Sequence, residues 1–424
     1  MPNGQQVLGL VRSLERAIAM ADFTTALEEV EEWPVRHPFR WTLDALDGLR
    51  LNGLASEVYG YFGRDTEAVK MVGESWTQCE KWLKELVDAN ASDVPGLYQE
   101  FKAYYELCVV TGVQRAHGYY RKHDYDSALE CLELCEKALS KLIVNGGFRS
   151  HAVLGCVCHA IGLVYREKGD PHYNDAKQYF SDAVDHFSLT AADSAAGQVE
   201  TPALLRYRIA SSLVRLGWIV YTEGQLGMAR PFVAMAQTLL AETPAHLTRE
   251  YVNVVHACIE MSAHGDEFKV VDRAIDTLGK AHEVFASQTS GHEGYKASAA
   301  HELALANIRR AVLSHTDKEK KVYHVAAEES IDELLTYANS KQDSRWRCKA
   351  NIARSRLHRC QGRYDDAVRC AKDAFADAND SPFLKIDALI ARGEGHFEMR
   401  RVKSAPASFS LAASDFKKAR FRPG

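Results

Sequence analysis

The stretch that decides the fold runs from His159 to Phe187 and reads HAIGLVYREKGDPHYNDAKQYFSDAVDHF. It contains an apolar-Gly-x-x-Tyr run, a short polar turn and an Ala-x-x-x-Phe-x-x-Ala run. The apolar residues recur at helical spacing on both sides of the turn, which predicts two antiparallel helices. Gly162 and Ala183 would let the two backbones approach closely, while Tyr165 and Phe180 would pack between them.

This stretch resembles the tetratricopeptide repeat (TPR), whose signature is an aromatic residue, Leu-Gly-x-x-Tyr, Ala-x-x-x-Phe and then Pro. Two departures are visible. Cys158 stands where the family usually has Trp, and Pro171-His172 are a two-residue insertion in the turn. The resemblance implies a helical solenoid that binds a partner, and it does not name the partner.

The same template fits most of the chain. An alanine marks the start of the second helix in nine places, at residues 26, 68, 128, 176, 229, 274, 327, 367 and 405. These alanines lie 38 to 60 residues apart, more than the roughly 34 residues of the minimal repeat. The pattern therefore resembles the longer-repeat members of the superfamily. We predict an all-α, right-handed superhelical α-solenoid of about nine antiparallel helical hairpins.

Three segments interrupt the template. Residues 97–110 read as an extra helical stretch inside a long connection, and residues 316–321 (TDKEKK) read as a charged linker. Small and polar residues near 190–197 predict a mobile loop over residues 189–203. We therefore expect N-terminal hairpins over residues 1–188 and C-terminal hairpins over residues 204–424, continuous with the first half.

Composition and net charge limit the classes of function that this chain can have. The chain has 424 residues, 46% of them hydrophobic and 26% charged, with a formal net charge of −5. A negative chain disfavours non-specific nucleic-acid binding, and no apolar run approaches the ~18 residues of a membrane span. The N-terminus has no signal-peptide pattern, and ten cysteines without a compact spacing predict reduced thiols. We therefore expect a cytoplasmic protein that does not associate with membranes.

The resemblance also implies which side chains face the concave groove of the solenoid. Aromatic residues mixed with arginine suit recognition of an extended segment or a helix. The Lys/Asn carboxylate clamp of the family's chaperone-tail receptors is not seen, because Val11, Glu15, Gly53 and Glu57 stand where it should begin. The competing interpretation is that these side chains only pack or are solvated. The groove residues so implied are Tyr61, His117, Tyr120, Arg121, His159, Arg166, Trp218 and Tyr221.

A basic run between residues 345 and 372 is the second candidate site. Lys349, Arg356, Arg359 and Arg363 fall at spacings of seven, three and four, which places them on one face of a helix and at its end. Such a stripe suits an acidic peptide, a phosphate or a nucleic-acid backbone. The alternative is a solvated face paired with neighbouring carboxylates.

Signatures of catalysis and metal binding are missing from the sequence. There is no phosphate-binding glycine loop, no zinc-protease motif and no nucleophile elbow. Cys131, Cys135, Cys156 and Cys158 lack the paired spacing of zinc ligands and fit packing positions of the repeat. We expect no catalytic residue, no metal and no cofactor.

Three hypotheses for the function remain. The first is a non-catalytic scaffold or adaptor that binds a peptide, a helix or a partner domain in the groove. The second is a regulatory sensor that binds a small ligand or signalling peptide and acts on a separate effector. The third is binding of nucleic acid or an acidic partner through the C-terminal basic stripe, with nucleic acid disfavoured by the net charge.

Overall fold

A computed structural model describes residues 4–36, 45–62, 64–122, 124–146, 151–193, 202–241, 243–288, 293–378 and 381–403. These residues form helices and turns, and none of them lies in a β-strand. The all-α helical-repeat prediction is confirmed. None of the helices in these ranges combines the length and the apolar character that crossing a membrane requires.

Seventeen α-helices occupy the described ranges. Their bounds are α1 Gly4–Ala19, α2 Phe23–Arg36, α3 Ala45–Tyr61, α4 Asp65–Asp88, α5 Val94–Arg121, α6 Tyr125–Lys141, α7 His151–Lys168, α8 Tyr173–Asp193, α9 Pro202–Thr222, α10 Leu226–Leu240, α11 His246–His264, α12 Phe268–Ala286, α13 Glu293–Leu313, α14 Asp317–Lys341, α15 Ser344–Cys360, α16 Tyr364–Asp377 and α17 Pro382–Lys403.

The chain divides into two compact units, residues 1–252 (unit 1) and residues 253–424 (unit 2). The boundary falls inside α11, whereas the sequence suggested a division at residues 189–203. Both ends of the segment predicted as a loop are helical, because α8 continues to Asp193 and α9 begins at Pro202. Alanine and polar residues with adequate helix propensity extend α8 there. Residues 194–201 lie outside the described part of the chain.

Seven hairpins of the predicted order are seen as helix contacts in the described residues, namely α1 with α2, α3 with α4, α5 with α6, α7 with α8, α9 with α10, α13 with α14 and α15 with α16. The alanine at the start of each second helix is at most 4% exposed, because it lies where the two helices approach most closely. Ala405, the ninth of the set, lies outside the described residues. The eight that the structure describes are Ala26, Ala68, Ala128, Ala176, Ala229, Ala274, Ala327 and Ala367.

Five of the turns inside hairpins in the described residues share one geometry. A backbone N–H bonds the carbonyl five residues earlier, which closes the end of the first helix. Gly224 and Gly362 take positive φ values of 82° and 74° at this turn, a region that favours glycine. The recurring bonds are Asp22 N to Ala17 O, Arg64 N to Tyr59 O, Asp124 N to Tyr119 O, Gln225 N to Val220 O and Arg363 N to His358 O.

The hairpin of α7 and α8 confirms the prediction made from His159–Phe187. A Cβ atom added at Gly162 would lie 3.0 Å from the Phe180 ring, so the glycine permits this contact. The insertion forms a short 3₁₀ turn, Asp170–His172, which follows Gly169 at a positive φ of 96°. Its extra length is thereby accommodated without disturbing either helix.

Two segments differ from the sequence prediction. Residues 97–110 belong to α5, a single helix of 28 residues, and so do not form part of a connection. The predicted charged linker, residues 316–321, contains the first turn of α14. Thr316 Oγ1 accepts from Glu319 N at 3.2 Å, and the Glu319 carboxylate accepts from Thr316 N, which is a capping box.

Candidate functional site: the inner face of unit 1

The first helices of the hairpins in unit 1 lie side by side. Helix α3 contacts α1 and α5, and α5 contacts α7. Helix α9 contacts α1, and a hydrogen bond between the His159 and Ser212 side chains joins it to α7. We call the surface formed by α3, α5, α7 and α9 the inner face of unit 1.

A polar link between α5 and α7 brings two predicted groove residues together. The Arg166 guanidinium donates to the Tyr120 hydroxyl at 3.3 Å and to Glu167 Oε1 at 3.0 Å. The Tyr120 hydroxyl and the same Glu167 oxygen are 3.4 Å apart. These three partly buried groups fix each other's orientation, so an aromatic ring and a guanidinium are presented together.

His159 links α7 to α9. Its Nδ1 lies 2.8 Å from Ser212 Oγ, and the Ser212 hydroxyl donates to the Arg208 carbonyl at 3.2 Å. Because that hydroxyl proton is already committed, the imidazole Nδ1–H acts as the donor to Ser212. On its other side, the imidazole meets the Phe180 ring edge-on, with centroids 5.5 Å apart.

The electrostatic surroundings of His159 are positive. The pKa of His159 lies well below its ordinary value, and burial is the largest cause. The nearby charges of Arg215, His117, Arg166 and Arg208 lower it further, in that order. These groups belong to α5, α7 and α9, so side chains of three helices contribute to the electrostatic environment of His159.

The two arginines from α9 were missed by the sequence analysis. Arg208 lies 3.6 Å from Glu57 of α3, and its guanidinium is 5.8 Å from the centre of the Phe187 ring. Arg215 is 8% exposed and donates to the carbonyl and hydroxyl oxygens of Ser211 at 3.0 and 2.9 Å. Their spacing of seven residues on one helix is the signal that could have found them.

Trp218 and Tyr221 lie in the last turns of α9. Both are partly buried, and their ring centroids are 5.4 Å apart. Trp218 follows Arg215 by three residues, which makes the two side chains neighbours on the helix surface. An indole next to a guanidinium is the pairing that dominates many binding interfaces.

His117 and Arg121 were predicted beside Tyr120 on α5. His117 is partly buried and contributes to the charges that act on His159. The side chain of Arg121 lies outside the described part of the structure.

Tyr61 has a different environment from the one predicted. Its ring stacks on Phe23 with centroids 4.1 Å apart and meets Tyr207 of α9 edge-on at 6.2 Å. Its hydroxyl accepts from the backbone N–H of Leu247, 3.1 Å away in the first turn of α11. Tyr61 therefore joins the beginning of unit 1 to α9 and α11, and we do not count it among the ligand-binding residues proposed below.

The basic stripe on α15 lies among carboxylates and other partners. Arg359 is 3.2 Å from Glu394, and Arg363 contacts His358 Nδ1. Lys349 lies over the Trp346 ring, 4.4 Å from its centre. Further ion pairs in the same region join Arg347 to Asp377, Arg354 to Asp332 and Arg369 to Asp366. The fourth residue of the stripe is Arg356. The pairs formed by its neighbours reduce the net positive charge that this surface offers to a ligand.

The cysteines are free thiols. Burial raises the pKa of Cys131 and of Cys158 to about 12, so both stay protonated near neutral pH. Within the described residues, no group of three or more His, Cys, Asp or Glu side chains could hold a metal ion.

Comparison with known proteins supports the fold and nothing finer. No protein-family model and no curated protein matches the sequence. Among solved structures, the apo form of the quorum sensor NprR from B. thuringiensis aligns with 97% of this chain and 99% of its own at 13% identity, with a TM-score of 0.51. The human IFIT1 dimer with m7Gppp-AAAA aligns with 97% of this chain and 81% of its own at 15% identity and a TM-score of 0.43. The TPR domain of P58(IPK) aligns with 98% and 100% at 12% identity and a TM-score of 0.27.

The chain therefore has a TPR-like helical-repeat fold. The repeated hairpins, their buried alanines and the similarity to NprR all indicate this fold. Its ligand has to be argued from the side chains of this sequence.

Proposed function

We propose that the protein is a non-catalytic scaffold that binds a peptide segment of a partner protein on the inner face of unit 1. The observation that carries the proposal is that Tyr120, Arg166 and His159 lie on adjacent first helices, which the Arg166–Tyr120 and His159–Ser212 hydrogen bonds join. A repeat array supplies a long surface of this kind, because each hairpin contributes one helix to it.

The residue types support a peptide as the ligand. Trp218 with Tyr221 and Tyr120 with Arg166 are aromatic and arginine side chains held in pairs, 5.4 Å between ring centroids in the first case and hydrogen-bonded in the second. Such pre-arranged anchors lose little conformational entropy on binding. An extended peptide or a short helix fits this arrangement better than a broad, flat protein surface does.

A displayed library of random peptides, selected on the purified full-length chain, tests the proposal. The affinity of each selected peptide is then measured by calorimetry for the wild type and for the double variant Trp218→Ala, Tyr221→Ala. We expect the double variant to bind at least about tenfold more weakly, because hot-spot aromatic residues contribute about 2 kcal/mol or more.

The matched control uses the opposite side of the same hairpin. Met228 and Met235 on α10 are 57% and 54% exposed, so the double variant Met228→Ala, Met235→Ala removes apolar side chains elsewhere. It should bind each peptide like the wild type. Equal affinities for the wild type and the Trp218→Ala, Tyr221→Ala variant would contradict the proposed binding surface.

The test also separates the other two hypotheses. NprR is described as a quorum sensor, and a sensor would respond to a small ligand or a signalling peptide. Failure to select any peptide, together with a thermal shift caused by a small molecule, would favour the sensor. Binding of RNA would be recognised by an affinity that falls steeply with salt.

A further inference from the structure

Unit 1 closes on itself, because its first helices meet helices that lie much later in the chain. The hairpins of a repeat array ordinarily contact only their neighbours along the array. In unit 1, however, α1 contacts α9, and the Glu57 carboxylate of α3 lies 3.6 Å from the Arg208 guanidinium of α9. Because α1, α3, α5, α7 and α9 are also joined in turn, these contacts complete a ring of first helices.

Tyr61 of α3 joins the two ends of this ring. Its hydroxyl accepts from the Leu247 N–H at 3.1 Å, and its ring stacks on Phe23 with centroids 4.1 Å apart. The Tyr207 ring of α9 completes the aromatic group, 6.2 Å from Tyr61 and 5.2 Å from Phe23 between centroids. We call these contacts the seam. It is formed by Phe23, Glu57 and Tyr61 on one side and by Tyr207, Arg208 and Leu247 on the other.

The closed ring covers much of the inner face of unit 1. Polar side chains that an open groove would leave in water are largely withdrawn from it. Ser212 of α9 is 0% exposed, and the side chains of Arg166 and Arg208 are 15% and 16% exposed. Groups so little exposed offer a peptide almost no surface to contact. The peptide of the proposed function therefore needs the ring to open.

The composition of the seam makes it a place where the ring can open. Leu247 lies in the first turn of α11, where backbone N–H groups have no acceptor within the helix. Separating it from Tyr61 therefore breaks no helical hydrogen bond, and water can replace each partner. The hairpin of α7 and α8, in contrast, buries Phe180 and Phe187 completely. Local opening requires least free energy where few buried apolar contacts are lost.

We propose that the seam is a gate, which opens without unfolding of the hairpins and so gives the peptide access to the inner face of unit 1. This inference rests on the proposed function, since it states how the ligand reaches the same surface. Opening moves the hairpins of α1 to α4 away from α9. A repeat array permits such a movement, because its curvature is the sum of small rotations between successive hairpins.

A thiol placed on the covered surface measures the opening without any peptide. Ser212→Cys puts the thiol on α9 at a position that is 0% exposed. Its labelling by iodoacetamide in the full-length chain is followed by mass spectrometry, and labelling proceeds through the openings that expose it. The native thiol of Cys135 is the internal control. It is also 0% exposed and lies outside the seam, with Sγ 3.8 Å from the Val109 carbonyl oxygen.

Tyr61→Phe removes the hydrogen bond of the seam and retains the ring. A neutral hydrogen bond shifts an equilibrium by about 3- to 10-fold. We therefore expect the thiol of Ser212→Cys to be labelled faster by about that factor when Tyr61→Phe is added, and Cys135 to be labelled at an unchanged rate. Tyr179→Phe is the matched control, since its hydroxyl lies 3.4 Å from Glu136 Oε1 between α8 and α6. It should change neither rate.

Glu57→Gln tests the same seam through its charge pair. It should also accelerate labelling of the Ser212→Cys thiol, by a smaller factor, because partly exposed ion pairs contribute little free energy. Unchanged labelling of this thiol in both Tyr61→Phe and Glu57→Gln would overturn the gate. An equal acceleration at the Ser212→Cys thiol and at Cys135 would also overturn it, because the openings would then be global unfolding.

The kinetics of peptide binding separate the gate from the proposed function. If opening precedes binding, Tyr61→Phe should raise the association rate constant of each selected peptide by about 3- to 10-fold. Peptides that associate with wild type and Tyr61→Phe at the same rate would overturn the gate and leave the function standing. Faster labelling of the Ser212→Cys thiol in Tyr61→Phe, with no peptide selected, would support the gate and overturn the proposed function.

Discussion

The imidazole of His159 is held neutral by the groups packed around it. Burial contributes most, Ser212 of α9 and the Phe180 ring of α8 contact the imidazole, and the charges of Arg215, His117, Arg166 and Arg208 act on it as well. Protonation would place another positive charge among these cations. The ring is therefore a hydrogen-bond donor to Ser212 and not a source of charge.

This arrangement predicts how stability depends on pH. The pKa of His159 lies lower in the folded chain than in the unfolded chain, so the unfolded chain binds more protons between the two values. Stability is then lost as the pH falls from about 6.5 towards the folded pKa, at up to about 1.4 kcal/mol for each unit between the two values. Urea midpoints measured from pH 7.5 to 5 should fall less steeply for His159→Gln than for the wild type.

A direct titration of the ring checks the same point. The ¹³Cε1 signal of His159 should show a pKa below 6.5 in the free protein. A measured pKa at or above 6.5 would contradict the burial and the positive surroundings described for this ring.

Single residues also show what the sequence could predict and what it could not. Gly162 and Phe180 were both placed between the helices of one hairpin, because their spacing lies within it, and the structure brings them into contact. Tyr61 was assigned to the groove by the same local counting. Its partners Tyr207 and Leu247 are 146 and 186 positions further along the chain, and no local pattern indicates so distant a contact.

At the scale of the element, close helix contacts depend on glycine at a few positions. A Cβ atom added at Gly217 of α9 would lie 2.9 Å from Val233 Cγ2 and 3.5 Å from the Ala229 carbonyl oxygen of α10. Valine has little rotational freedom inside a helix, so it cannot move aside easily. The helices would have to separate to accept a methyl group.

We therefore expect Gly217→Ala to destabilise the protein by about 1–3 kcal/mol, the usual cost of overpacking. Gly73→Ala in α4 is the matched control, since a Cβ atom there would meet nothing within 4 Å. Alanine favours helix by up to about 1 kcal/mol over glycine, so the control should be as stable as the wild type or more so. Thermal unfolding of the two variants would refute the packing argument if Gly217→Ala melted no lower than Gly73→Ala.

Helix starts show a second limit of the sequence prediction. The charges of residues 316–321 suggested a linker, although Thr316 and Glu319 have the spacing of a capping box. The spacing of Thr316 and Glu319 marks the start of α14, and the density of charged residues there does not. The missed extent of α5 has a similar cause, because Val94-Pro95 is a good helix start that lies before the apolar pattern used to find it.

At the scale of the whole molecule, the two units present basic residues in different settings. In unit 1, Arg166 of α7 bonds Tyr120 of α5, and Arg208 of α9 lies beside Glu57 of α3. In unit 2, Arg347, Arg354 and Arg359 each pair with a carboxylate of a neighbouring helix. The sequence shows the basic residues of α15 as one run, but it does not show which carboxylates the fold brings beside them.

The central claim is that a peptide lies on the inner face of unit 1. Photo-crosslinking tests it most directly, with a selected peptide that carries a benzophenone side chain near its centre. Mass spectrometry should locate the crosslinks on α5, α7 and α9, close to Tyr120, Arg166 and Trp218. Crosslinks confined to α15 around Arg356 and Arg359, or to the exposed methionines of α10, would contradict the account.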